Sequence, residues 1–297
     1  MVGASTAFSL MQSGLYNEMV LLDADVERAE GEALDIAHGL PYGSSMKIYA
    51  GGYDDMAECS LVIITAGANQ KEGETRRDLT ARNVKILGDV LSELSARDYN
   101  GLLLIVSNPV DVLTYVAVKK YGFSARSVIG SGTVLDTARL RHELSEFLSV
   151  DAKSIHAFIV GEHGDSEVAV WSTASVAGVP IQEFCASIIG KNCSFALREI
   201  AERVKNSAYE IIAKKRATYY GIATAVTRIC RAIVRDEKSV LPVSSVSEEY
   251  GVALGLPSIV GRRGIEDTLP LYLSQEEKVA FDLGVNELAE LISLVDL

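Results

Sequence analysis

Through the first half of the chain, short β-branched and aliphatic runs alternate with longer stretches whose apolar positions recur at helical spacing. Residues 19–22, 47–50, 61–66, 102–107 and 127–129 read as strands. Residues 26–38, 79–99 and 109–121 lie between them with the length of crossover helices. The alternation predicts a parallel, doubly wound α/β sheet, and such sheets receive ligands at the carboxyl ends of their strands.

The second half changes style. Strands near residues 154–160 and 167–172 precede long helices over 194–215 and 220–234, then short strands and a closing helix from Gln275. This pattern predicts a mixed α+β lobe, with the boundary near Ser131, so that residues 1–131 form one unit and 132–297 the other. No Pro/Gly/Ser-rich linker separates them, and the two are expected to share a large interface.

Charge and composition narrow the partners. The 297 residues are 48% hydrophobic and carry a net charge of −12, a field that repels nucleic acid and anionic membranes. An anionic ligand must therefore meet a local cluster of Arg and Lys. The longest apolar runs are strand-length, well short of the roughly 20 residues of a membrane span. The first residues lack a basic region followed by a long apolar core, so no secretory signal is read. Cys59, Cys185, Cys193 and Cys230 show neither C-x-x-C nor metal-ligand spacing, so neither a disulfide scaffold nor a zinc site is expected, and a reducing cytosol fits.

The amino end is anomalous. Met1-Val2-Gly3-Ala4-Ser5 runs straight into a helical pattern, residues 6–13, closed by Gly14, and the next strand ends at Asp23, twenty residues beyond Gly3. A dinucleotide-binding unit carries G-x-G-x-x-G after a strand and an acid about 20 residues later. Only the final x-x-G and the acid stand here. A preceding strand and two glycines would complete the motif, and the expectation is that Met1 is an internal methionine. Alternatively, Gly3 is a plain turn glycine and Asp23 caps the helix that follows.

The strongest chemical signal is Gly161-Glu162-His163-Gly164-Asp165-Ser166, a polar glycine-flanked turn directly after an apolar strand. A second is Leu135-Asp136-Thr137-Ala138-Arg139-Leu140-Arg141, in which Asp136 and Arg139 share a helix face. A 2-hydroxy acid needs a base of near-neutral pKa, a carboxylate to fix its tautomer and a guanidinium to grip the substrate carboxylate. His163, Asp136 and Arg139 supply these three parts. Against this, His163 alone can be a loop histidine bonded to a carbonyl, and Asp136 with Arg139 a solvated ion pair. Ala66-Gly67-Ala68-Asn69-Gln70-Lys71-Glu72-Gly73-Glu74-Thr75-Arg76 follows a strand and is long enough to fold over a ligand, or is an ordinary solvated loop. Ser107-Asn108-Pro109-Val110-Asp111 puts an amide at the next strand's end, where it also suits a plain N-cap. A metal held by His142, His156 and His163 fails on spacing, and no metal is expected.

In this order, and with Ala217-Thr218-Tyr219-Tyr220-Gly221-Ile222-Ala223 further on, the segments resemble the lactate and malate dehydrogenase family from Val2 to the end. The resemblance implies a Rossmann-type NAD-binding domain, its first strand missing here, followed by a C-terminal catalytic α+β domain. It implies NADH as cofactor and His163 as proton donor to a keto-acid carbonyl, oriented by Asp136. Arg139 would hold the substrate carboxylate, Arg76 would polarise the carbonyl, and Asn108 and Thr218 would line the pocket. Gly3, Asp23, Arg28, Tyr53, Gly67, Ala68, Asn108 and Ser131 match positions beside the cofactor.

Gln70 bears on the substrate. The second carboxylate of oxaloacetate needs a facing cation, so a neutral amide favours pyruvate, with malate chemistry as the alternative because Lys71 is adjacent. Arg141 and His156 match the pair that binds fructose 1,6-bisphosphate between subunits in bacterial members, implying an allosteric homotetramer, unless Arg141 is merely exposed and His156 a strand filler. An inactive relative that keeps the fold is the competing reading outside enzymes. Residues 249–258 are a few residues shorter than the family's strand-turn-strand, and a tightened hairpin is expected there.

Overall fold

The computed structural model describes residues 1–43, 45–68, 73, 75–190 and 193–295, apart from the Arg76 side chain. Its first elements are α1 (Val2–Ser13), β1 (Glu18–Leu21), α2 (Val26–His38), β2 (Lys47–Ala50), α3 (Tyr53–Ala57) and β3 (Leu61–Ile64). Then come α4 (Arg76–Ser95), β4 (Leu102–Ile105), α5 (Val110–Lys119), β5 (Val128–Gly130) and α6 (Val134–Leu148). α1 ends as read, at Gly14 in the left-handed region. α4 starts on a reciprocal cap between Thr75 and Asp78.

β3, β4 and β5 run parallel and are apolar at almost every position because helices cover both faces. The core on one face joins Val62, Leu103, Ile105 and Leu113 to Leu87 and Leu91 of α4. β1 and β2 form a parallel pair of their own. Met19 of β1 and Leu61 and Ile63 of β3 pack against one cluster with Leu10 of α1, although β1 and β3 share no ladder.

The second half contributes β6 (Ile155–His156), β7 (Ile159–Val160), β8 (Val168–Ala169), β9 (Ser175–Val176), β10 (Val179–Pro180) and the short α7 (Ile181–Phe184). After them stand α8 (Ser194–Lys215), α9 (Tyr220–Val234), β11 (Ser239–Val246), β12 (Ala253–Gly261), β13 (Gly264–Thr268) and α10 (Gln275–Ser293). β11 pairs antiparallel with β5, so three strands of the second half continue the sheet of the first. The shared interface therefore includes a common sheet. β11 and β12 meet across a short turn closed by Ser247 and Val252.

Two expectations need correction. The single strand over 154–160 is two, because β6 pairs with β9 and β7 with β8, and the chain changes sheets between them. Cys185 and Cys193 form a disulfide, their Cα atoms 6.0 Å apart. A turn of π-helix from Cys185 brings the chain back to the start of α8, a reversal that cysteine spacing does not reveal. With this bond, cysteine spacing gives no ground for a reducing compartment.

Candidate active site

The site is built where the amino end of α6 docks on β7. Thr133 Oγ1 donates to the Ile159 carbonyl at 2.6 Å, and Thr137 Oγ1 accepts from the Ile159 amide at 2.9 Å. β7 then stops at Gly161, which exchanges backbone hydrogen bonds with Gly255 at 2.9 and 2.8 Å and adopts φ 91°. A side chain at that φ is strained, so glycine sets the turn that delivers His163.

The docking puts Asp136, in the first turn of α6, against the imidazole. Asp136 Oδ2 lies 2.6 Å from His163 Nδ1, and Oδ1 accepts from Arg139 Nη1 at 2.9 Å. The Asp136 side chain is 2% exposed and that of Arg139 15%, which rules out the solvated ion pair. Burial opposes ionisation of Asp136, but His163 and Arg139 outweigh it and hold the carboxyl below the usual range. The helix amino terminus favours the same charge. Asp136 in turn pushes His163 up to about 9, against the pull of burial. The imidazole is therefore a cation at neutral pH with Nδ1 committed to Asp136, leaving Nε2 as its available donor.

Asp111, in the first turn of α5, accepts from the His163 amide at 2.8 Å. Desolvation pushes this buried carboxyl up to about 6. Glu167, just beyond the His163 turn, offers a carboxylate oxygen in a group with acceptor atoms of Asp136 and His163, all within 4.8 Å of one another. These two acids are further titratable groups around His163.

Asn83 joins the neighbouring loops. Its Nδ2 donates to the carbonyls of Ala68 at 3.2 Å and Asn108 at 2.7 Å, and its Oδ1 accepts from the Ala68 amide at 2.7 Å. Ser107 Oγ reaches the Ala66 carbonyl at 2.6 Å. Gly67, Ala68 and Asn108 are thus held together at the carboxyl ends of β3 and β4. Truncating Asn83 to alanine leaves three backbone groups without this partner. Such a loss costs about 1–3 kcal/mol, so N83A is expected to lower the denaturant midpoint, measured by chemical unfolding.

The other expected positions fall in three places. Ser131 is buried directly after β5, its amide bonded to the Ile105 carbonyl at 2.8 Å. Gly3 opens α1 beside β3, where an added Cβ would stand 2.8 Å from Thr65 Oγ1. Asp23 and Arg28 are exposed near the end of β1, and Tyr53 is half-buried at the start of α3. Asp25, not Asp23, caps α2 by accepting from the Arg28 amide at 3.1 Å, which removes the capping alternative for Asp23. Thr218 is half-buried in the connection between α8 and α9. Arg141 is partly buried and its Nε donates to the Ala157 carbonyl at 3.1 Å, beside exposed His156. Gln70, most of its loop, and the Arg76 side chain lie outside the described residues.

Sequence reasoning missed Asn83, Thr133, Thr137 and the part played by Glu167. Asn83 carries a visible signal, a polar residue next to Val84 and one turn before Leu87 on the buried face of α4.

Comparison with known proteins accords with this geometry. Residues 1–130 match the NAD-binding domain of lactate/malate dehydrogenases, and residues 133–296 match their alpha/beta C-terminal domain. An L-lactate dehydrogenase of Acetivibrio thermocellus is 49% identical, with 100% of this chain and 95% of that protein covered. L-lactate dehydrogenase 1 of Clostridium acetobutylicum is 48% identical over 93% of this chain and 90% of its own. The crystal structure of minor L-lactate dehydrogenase from Enterococcus mundtii in the ligands-bound form has a TM-score of 0.96 at 42% identity, covering 100% of this chain and 96% of that one. A Rossmann domain joined to this second domain defines an NAD-dependent oxidoreductase. The chain belongs to the lactate/malate dehydrogenase family.

Proposed function

We propose that the chain is an L-lactate dehydrogenase that reduces pyruvate to (S)-lactate with NADH. The observation that carries this reading is the buried Arg139–Asp136–His163 chain, a carboxylate clamp and a charged proton donor each one hydrogen bond from Asp136. The close approach of Gly3 to Thr65 and the exposed side chains of Asp23 and Arg28 suit a dinucleotide. Bound NADH supplies the hydride. Arg139 holds the substrate carboxylate, Arg76 polarises the carbonyl, Asn108 and Thr218 line the pocket, and His163 gives its Nε2 proton to the carbonyl oxygen. Asp136 stabilises the imidazolium before transfer and fixes the tautomer after it.

Gln70 selects pyruvate over oxaloacetate, since enclosing a second carboxylate without a partner is costly. Q70R supplies the missing cation and is expected to raise the kcat/KM ratio of oxaloacetate to pyruvate by about a hundredfold or more. Competing the two keto acids for limiting NADH measures that ratio, and an unchanged ratio would refute this role for Gln70.

Arg141 and His156 form a fructose 1,6-bisphosphate site between subunits of a homotetramer. Burial and then the nearby Arg228 lower the pKa of Arg141, and a phosphate would relieve both penalties. The reaction is placed in the cytoplasm, where NADH and pyruvate meet.

A further inference from the structure

Glu167 lies between the His163 turn and β8. One carboxylate oxygen, Oε1, is shielded from solvent and has no hydrogen-bond partner among the described residues. The charged groups facing the carboxyl are Asp136 and Arg139 of α6, His163 of its own turn and Lys205 of α8. α8 is tied to the same turn by Tyr209 Oη, which donates to Asp165 at 2.9 Å. Desolvation, then the anionic Asp136, push Glu167 up to about 8, outweighing the three cations. An unpartnered carboxylate beside Asp136 would be disfavoured, whereas a carboxylic acid there adds no charge.

We propose that Glu167, its buried oxygen set beside Asp136 and His163, is a positioning residue for proton transfer, and that its carboxyl, once ionised, keeps the proton on His163. As pH rises, the Glu167 carboxyl releases its proton to solvent, and the new anion stabilises the imidazolium within the same cluster. The Nε2 proton needed for keto-acid reduction is then retained to higher pH than Asp136 alone would allow. Because the two groups interact, their titrations belong to the pair. The inference rests on His163 being the proton donor, and its test separates the two claims.

The experiment follows the His163 ring through a pH titration by NMR in the full chain, in E167Q and in E167D. In parallel, kcat/KM is measured against pH for pyruvate with NADH and for lactate with NAD. In E167Q, which cannot ionise, the His163 midpoint is expected to fall by about one pH unit, the scale of one added charge at this range. Both the alkaline limb of pyruvate reduction and the acid limb of lactate oxidation should move down with it. E167D, which keeps the charge, should retain most of the original midpoint. An unmoved midpoint in E167Q, or an equal fall in both variants, overturns the inference. A midpoint that moves while both kinetic limbs stay fixed supports the coupling and instead refutes His163 as the donor.

Discussion

Replacing His163 with glutamine is expected to lower kcat for pyruvate reduction about a hundredfold to ten-thousandfold, the usual contribution of a placed general acid. NADH binding should be unchanged. The pH dependence should change in kind as well as in size. On the proposed mechanism the donor is the imidazolium, which Asp136 holds up to about 9. Pyruvate reduction is therefore expected to hold through neutral pH and to fall as pH rises through about 9. Lactate oxidation needs the neutral ring as base and should rise over the same interval. H163Q removes the titrating imidazole and should lose both limbs, whereas a variant disturbed only in folding would lose rate at every pH and keep them. Steady-state rates in both directions across pH 6–10 decide between these outcomes.

The second large effect is expected at Arg139. Its pair with Asp136 is enclosed, and removing one partner of a buried pair costs about 3–5 kcal/mol. R139Q is expected to lose about two to four powers of ten in kcat/KM for pyruvate. Most of that loss should be in KM, since the clamp acts on the bound substrate as well as on the transition state. R139K keeps the charge but not the planar fork, so an intermediate loss is expected. A KM for R139Q close to that of the parent protein would remove Arg139 from substrate binding.

Much of this was legible in the chain because local physics decided it. α2, α8 and α9 begin and end at the residues that helical spacing indicated. The Gly161 turn and the Asp136–Arg139 spacing disclosed the chemistry for a related reason, since each depends on neighbours a few residues apart. Other features depend on where distant segments meet. The break between β6 and β7 follows from their different partners, β9 and β8, which no run of apolar residues encodes. The Cys185–Cys193 bond requires a chain reversal through a π-turn. Asn83 bridges Ala68 and Asn108 across sequence separations of 15 and 25 residues. Glu167 read as the first residue of a strand, and its neighbours Asp136, Arg139 and Lys205 come from distant α6 and α8.

The most direct test of the central claim is NADH oxidation by the purified chain, with pyruvate and oxaloacetate each supplied with and without fructose 1,6-bisphosphate. The account predicts turnover with pyruvate well above oxaloacetate, raised by the bisphosphate. Failure to oxidise NADH with either keto acid would contradict it and leave an inactive member of the family.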